Sequence, residues 1–362
     1  MSILDGLRGR NTRAEQAERV RRAAEAEQDG LACLRDGNLQ RAVVEWRRCL
    51  EYRPDYPLAL GYLGLALYRL GQLEEADEAL RASVRIEPSD EVLRRTYGMV
   101  LEARGQLDAA AAQYQAAIDA NPESARAHAA LGTLALKQDA LAPAEAHLQL
   151  ALQLDPNDPQ ALSELAEVYQ RQGRATEAVS LLERALVIRP QGGVYSYKLG
   201  LLFGQLHQSE RACGALMAAH EALPSDPAVL RSLGRVLFEQ QRGAEAHRLY
   251  DHAMREDPEQ HLRYLTDLAA LVSEHGMDLD TIPPPTTIKI GAEAAPGLSG
   301  EAQRRLDIAS LEAAIEQQPG ESRLRRDLSM AYLRAGRIEE AKQQAQLADQ
   351  LRAQRRARPA TA

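Results

Sequence analysis

Prolines stand at positions 54, 88, 122, 156, 190, 224 and 258, each 34 residues after the last. Proline has no backbone N–H and its ring clashes with the preceding turn, so it cannot sit inside a helix or a central strand. Whatever lies between these prolines is therefore interrupted at the same phase seven times. Such a chain builds an array of like units, each packing on its neighbours. Counting each proline as position 32, position 20 is Ala42, Ala76, Ala110, Ala144, Ala178, Ala212 and Ala246. Position 8 is glycine in six units (Gly30, Gly64, Gly98, Gly132, Gly200, Gly234) and Ala166 in the fifth. Position 27 is Cys49, Ser83 and then five alanines.

Each unit reads as two helices. In residues 161–190, Leu162, Leu165, Ala166 and Tyr169 recur at helical spacing until Gly173 interrupts them. A second stripe runs through Ala178, Leu181, Leu182, Ala185 and Leu186 and stops at Pro190. Two antiparallel helices joined by a tight turn approach closely only where one of them lacks bulk, which explains the small-residue columns. Aromatic residues are only 4% of the chain against 45% hydrophobic, so the core must be built from aliphatic and small side chains.

These columns resemble the tetratricopeptide repeat family, whose pattern has Leu-Gly at 7 and 8, Tyr at 11, Ala at 20, an aromatic at 24, Ala at 27 and Pro at 32. Residues 62–80 and 97–114 carry most of it, and Trp46, Tyr114 and Tyr250 occupy position 24. The resemblance implies an all-α fold, a right-handed superhelical solenoid of about nine stacked antiparallel helix pairs. Residues 1–22 would lead into the first helix, and 23–260 would form seven regular units. An eighth, degenerate unit would span 261–319, a ninth with a capping helix 320–351, and a basic tail 352–362.

The period breaks after Pro258. The next phased proline, Pro319, lies 61 residues on, 27 more than one period. The excess falls at about 277–300, between the two helices of the eighth unit, and contains the stretch TIPPPTTIKIG at 281–291. Three prolines favour extended backbone, and TTIKI alternates like a strand. A loose surface loop and a segment docked on the protein's own repeats both fit. At the other end, Thr12–Glu15 reads as a capping box that could start a first helix running to about residue 36.

No catalytic signature is present: HExxH, GxSxG, a P-loop and GxGxxG are all missing. Glu274, His275, Asp278 and Asp280 cluster before the prolines, and a polar helix end accounts for them more simply than a metal. His147, His220, His247 and His252 fall in second helices without metal-ligand spacing. No cofactor or metal is expected. Cys33, Cys49 and Cys213 fall at helix-packing positions rather than in a disulfide or zinc pattern. A net charge of −8 speaks against general nucleic-acid binding. The N-terminus lacks a signal-peptide pattern and no run is long enough to insert in a membrane, which suggests a cytoplasmic protein.

What remains is a surface. On each first helix, positions 2, 5, 6, 9, 12 and 13 face away from the second helix and should line a groove. They are apolar early in the chain, at Leu31, Leu34, Leu58, Tyr62, Leu65, Tyr68, Val92 and Met99. Later they become mixed, with Tyr197, Arg231, Arg235 and Phe238. Such a groove suits a peptide or amphipathic helix of another protein. Positions 6 and 9 of the first seven units hold no asparagine, so the family's carboxylate clamp and asparagine ladder are both missing. The expectation is a non-catalytic scaffold or adaptor. A regulatory subunit of an enzyme or secretion machine, and a self-assembling homo-oligomer, are the alternatives.

Overall fold

The computed structural model describes residues 3–256, 266, 271 and 300–357. Among these residues there are 17 helices and no strand. All but the last residue of the expected insertion at about 277–300, the stretch 281–291 and the cluster Glu274, His275, Asp278 and Asp280 lie outside the described residues. The chain divides into two units at Arg174–Ala175.

The first unit holds α1 (Ile3–Arg35), α2 (Leu39–Tyr52), α3 (Pro57–Arg69), α4 (Leu73–Ile86), α5 (Glu91–Ala103), α6 (Leu107–Ala120), α7 (Ala125–Lys137), α8 (Leu141–Leu154) and α9 (Pro159–Arg171). Odd-numbered helices are the first helices of their pairs. Here α1, α3, α5 and α7 each pack on the helix that follows, and α2, α4, α6 and α8 each pack on the next odd one. The second unit holds α10 (Ala175–Ile188), α11 (Gly193–Gln205), α12 (Ser209–Ala222), α13 (Pro227–Glu239), α14 (Gly243–Glu256), α15 (Gly300–Gln317), α16 (Ser322–Arg334) and α17 (Ile338–Ala357). There α11 pairs with α12, α13 with α14 and α16 with α17.

Two recurring turns produce this order. At the end of a first helix, the position-15 residue turns left-handed: Gly37, Gly71, Gly105 and Gly173 have φ between 73° and 79°. In the first pair the Asn38 N–H then donates to the Cys33 carbonyl and the Gly37 N–H to Leu34. These are the paired bonds of a Schellman motif, and they satisfy carbonyls the helix leaves open. Asp139, His207 and Gln241 adopt the same backbone at φ 59°, 57° and 62° without glycine's freedom. The same bond pattern holds them there, as in Arg242 N–H to Leu237 and Gln241 N–H to Phe238.

The second turn belongs to proline. A residue before proline is pushed out of the helical region, and Arg53, before Pro54, sits at φ −136°. Two residues beyond the proline, Asp90, Ser124, Asp158 and Asp226 cap the next first helix. The Asp90 carboxylate accepts from the Leu93 N–H at 2.9 Å, and Ser124 Oγ accepts from Ala127 at 3.2 Å.

Within a pair, position 8 meets position 24. A Cβ added at Gly30 would lie 2.8 Å from Trp46 Cε2, and one at Gly132 would lie 2.8 Å from Leu148 Cγ. Gly234 meets Tyr250 at the same distance, and Gly98 faces the Tyr114 ring. Trp46, Tyr114 and Tyr250 are accordingly core residues, at most 1% exposed. The position-20 alanines from Ala42 to Ala246 are all fully buried.

One expectation needs correction. The helix α1 begins at Ile3 and runs through Thr12–Glu15 without a break, so that motif caps nothing. A capping box acts only where the backbone N–H groups lack a preceding turn, and here residues 3–11 already supply one.

Candidate functional site

In the first unit the first helices touch one another across pairs, α3 with α5, α5 with α7 and α7 with α9. Among the described residues the second helices do not approach each other to that extent. The more closely spaced layer lies on the inside of a curved stack, so the outward side of the first helices is the concave face of this unit.

Leu31 and Leu34 come from α1, Leu58, Tyr62, Leu65 and Tyr68 from α3, and Val92 and Met99 from α5. Leu58 and Val92 are open to water, 40% and 52% exposed. The other six are half-buried, and Leu31, Leu34, Tyr62, Tyr68 and Met99 also lean on the core. Tyr62 stacks on Trp46 with ring centroids 4.9 Å apart and planes 17° apart. These positions therefore pack between repeats and show their remaining surface on the face.

From the C-terminal end of α5 onward the face becomes polar and internally paired. The Glu102 carboxylate accepts from the Tyr114 hydroxyl at 2.8 Å and from Lys137 Nζ at 2.5 Å. Glu164, 8% exposed, accepts from Gln160 Nε2 at 2.6 Å and from the Thr133 hydroxyl. Arg171 donates to Glu167 at 2.6 Å and to Asp139 at 3.2 Å. The apolar pad is thus confined to α1, α3 and α5.

Position 13 adds a basic rim that the groove residues alone do not convey: Arg35, Arg69, Lys137 and Arg171 are all exposed or nearly so. Lys137 and Arg171 are in ion pairs, whereas Arg35 and Arg69 make no ion pair within the described residues. The columns carry this signal in part, since position 13 is basic at Arg35, Arg69, Lys137 and Arg171 but is Ala103, Gln205 and Glu239 in the other three regular units.

In the second unit, Tyr197 on α11 and Arg231 and Arg235 on α13 line a cavity of about 750 Å³ with Gln205, Ser232 and Glu239. Arg235 pairs with Glu239 at 3.5 Å. Phe238 does not join them. It is 2% exposed, and Leu136, at the same position of its own repeat, is 5% exposed. In these two repeats the neighbours close over position 12, whereas Leu34 and Tyr68 at the same position stay half-buried, so Phe238 belongs to the packing and not to a groove.

No group of three or more His, Cys, Asp or Glu side chains that could hold a metal occurs among the described residues. One histidine pair does form, between α7 and α8. His128 Nε2 lies 3.1 Å from the Pro122 carbonyl, which can only accept, so that nitrogen carries the hydrogen. His128 Nδ1 then accepts from His147 Nδ1 at 3.2 Å. Burial, and secondly the nearby His128, lowers the His147 pKa from its ordinary 6.5. The unfolded chain thus binds a proton more readily than the folded one. The His147 contribution is complete above about pH 6.5 and is lost as the pH falls through the lower folded-state value. Melting at about pH 7.5 and about pH 5 should show a larger acid loss in the wild type than in His147→Gln.

The fold and its face define a protein built of stacked helix pairs whose first-helix side, in the first unit, is open to water. The chain belongs to the tetratricopeptide repeat family: one tetratricopeptide repeat model matches residues 28–91, 98–159 and 197–261, and a second matches 135–197. No curated protein matches the chain. Among solved structures, PilF of Pseudomonas aeruginosa is similar at 20% identity and a TM-score of 0.53, covering 59% of this chain and 96% of that one. A tetratricopeptide repeat protein from Parabacteroides merdae is similar at 16% identity and the same TM-score, covering 70% and 99%. Likeness at this level is likeness of fold. Repeats of this family indicate a protein–protein interaction scaffold. No described helix is long and apolar enough to cross a membrane.

Proposed function

We propose that this chain is a non-catalytic adaptor that holds a peptide or amphipathic helix of another protein against the first-helix face of its first unit. The reading rests on the pad formed by Leu58 and Val92, which stand in water beside the half-buried Leu31, Leu34, Leu65, Tyr68 and Met99. Apolar side chains gathered on one face of adjacent helices expose a contiguous patch, and such patches mark interaction surfaces. The polar, internally paired stretch from Glu102 to Arg171 sets the limit of the pad. Its carboxylates and cations already satisfy one another and would have to be broken apart to bind anything. The free thiols of Cys33, Cys49 and Cys213, all buried, fit a reducing compartment and so a cytoplasmic location.

The test uses the two exposed positions, because they can be changed without disturbing the core. Leu58→Glu with Val92→Glu should leave helicity and melting within about 0.5 kcal/mol of the wild type. A partner isolated on the wild-type chain should bind the double variant at least about tenfold more weakly. Unchanged binding would remove the pad from consideration and leave the cavity around Arg231 and Arg235 as the surface to examine.

A further inference from the structure

The apolar pad is edged by two cations that make no ion pair among the described residues. Arg35 ends α1 and Arg69 ends α3, each one residue beyond a pad residue, Leu34 and Tyr68. Both are exposed, and neither makes an ion pair within the described residues. The acids on the same face are otherwise engaged. Glu27 accepts from the Tyr56 hydroxyl at 2.8 Å, and Glu102 from Tyr114 and Lys137. A basic residue in the last turn also complements the helix dipole. That role does not require isolation, since Lys137 and Arg171 end α7 and α9 just as well while paired with Glu102 and with Glu167 and Asp139. The unmatched charge is therefore specific to the two repeats that carry most of the pad. On a chain of net charge −8, it is a local positive edge beside an apolar floor.

We propose that the partner segment is amphipathic and acidic along one margin, its apolar side chains on the pad and its carboxylates on Arg35 and Arg69. This rests on the pad being the binding face, and it adds the chemistry that selects the ligand. Guanidinium–carboxylate pairs take a fixed, forked geometry, and at the rim of an interface they set orientation and association rate. They would fix which way the segment runs across α1, α3 and α5.

The probe is a library of random 16-residue peptides selected on the full-length protein. The proposal expects enriched peptides with spaced apolar residues and at least two acidic residues toward one end. These should bind the wild type about tenfold or more tighter than Arg35→Glu with Arg69→Glu, a gap that narrows as salt rises. Arg35→Lys with Arg69→Lys, which keeps the charge, should retain most of the binding and shows that the fold is intact. Peptides that depend on Leu58 and Val92 but ignore the charge reversal would overturn the acidic partner while leaving the pad in place. Peptides indifferent to both pairs of substitutions, or no enrichment at all, would overturn both.

Discussion

Trp46→Ala should cost about 3–5 kcal/mol, the range for removing a large buried aromatic. Trp46 is fully buried on α2. Its indole fills the space that Gly30 leaves open on α1, and its face carries the stacked Tyr62 ring of α3. One side chain thus joins both helices of the first repeat to the first helix of the second. Gly30, which faces the indole, has no side chain to swing into the hole. Val44, on the same helix and 60% exposed, is the control: Val44→Ala should change stability by less than about 0.5 kcal/mol. In an array whose repeats contact mainly their neighbours, the loss should first appear as early melting of the N-terminal pairs. Urea titration followed by circular dichroism would show a lower, broader transition. A curve matching that of Val44→Ala would mean that Trp46 is not the joint described here.

Gly132→Leu and Gly214→Ala should move stability in opposite directions. At Gly132 a Cβ would meet Leu148 Cγ at 2.8 Å and the Leu148 backbone nitrogen at 3.2 Å. The side chain can shift but the backbone cannot, so leucine there should force α7 away from α8 at about 1–3 kcal/mol. Gly214 lies within α12 and is exposed, and nothing stands within 4 Å of an added Cβ. Alanine there removes only glycine's conformational penalty and should stabilise by about 0.5–1 kcal/mol. Thermal melts of both variants check the position-8 contact. Loss of stability in both, or in neither, would contradict it.

The repeat was legible in the sequence because its causes are local. Proline at 32, alanine at 20 and glycine at 8 each act through the backbone or through one facing residue, so a column of letters carries the geometry. The structure adds the partner of each letter: Gly30 belongs to Trp46, and Gly98 to Tyr114. The candidate face was legible in outline, and its errors share one origin. Helical spacing says which way a side chain points but not how near the next repeat comes. Spacing alone therefore puts Phe238 in the groove although its neighbours bury it, and it places Tyr62 on the face without showing that its ring also stacks on Trp46. The free charge of Arg35 and Arg69 was also out of reach. Whether an arginine is paired depends on residues that sequence spacing does not bring together, such as Glu102 with Lys137, 35 residues apart. The helix start at Ile3 was missed for the opposite reason, because a well-formed capping pattern at Thr12–Glu15 drew the boundary inward.

The central claim, that the first-helix face of the first unit holds the partner, is tested most directly by site-specific photo-crosslinking. A photoreactive residue is placed in turn at Leu58 on the pad and at Val44 on the second-helix side of the same unit. Val44 is the more exposed of the two, 60% against 40%, so chance encounters would favour it. One discrete adduct with the partner should form from Leu58, be lost when Val92→Glu is added, and be missing from Val44. An adduct from Val44 alone, or equal adducts from both sites, would contradict the central claim.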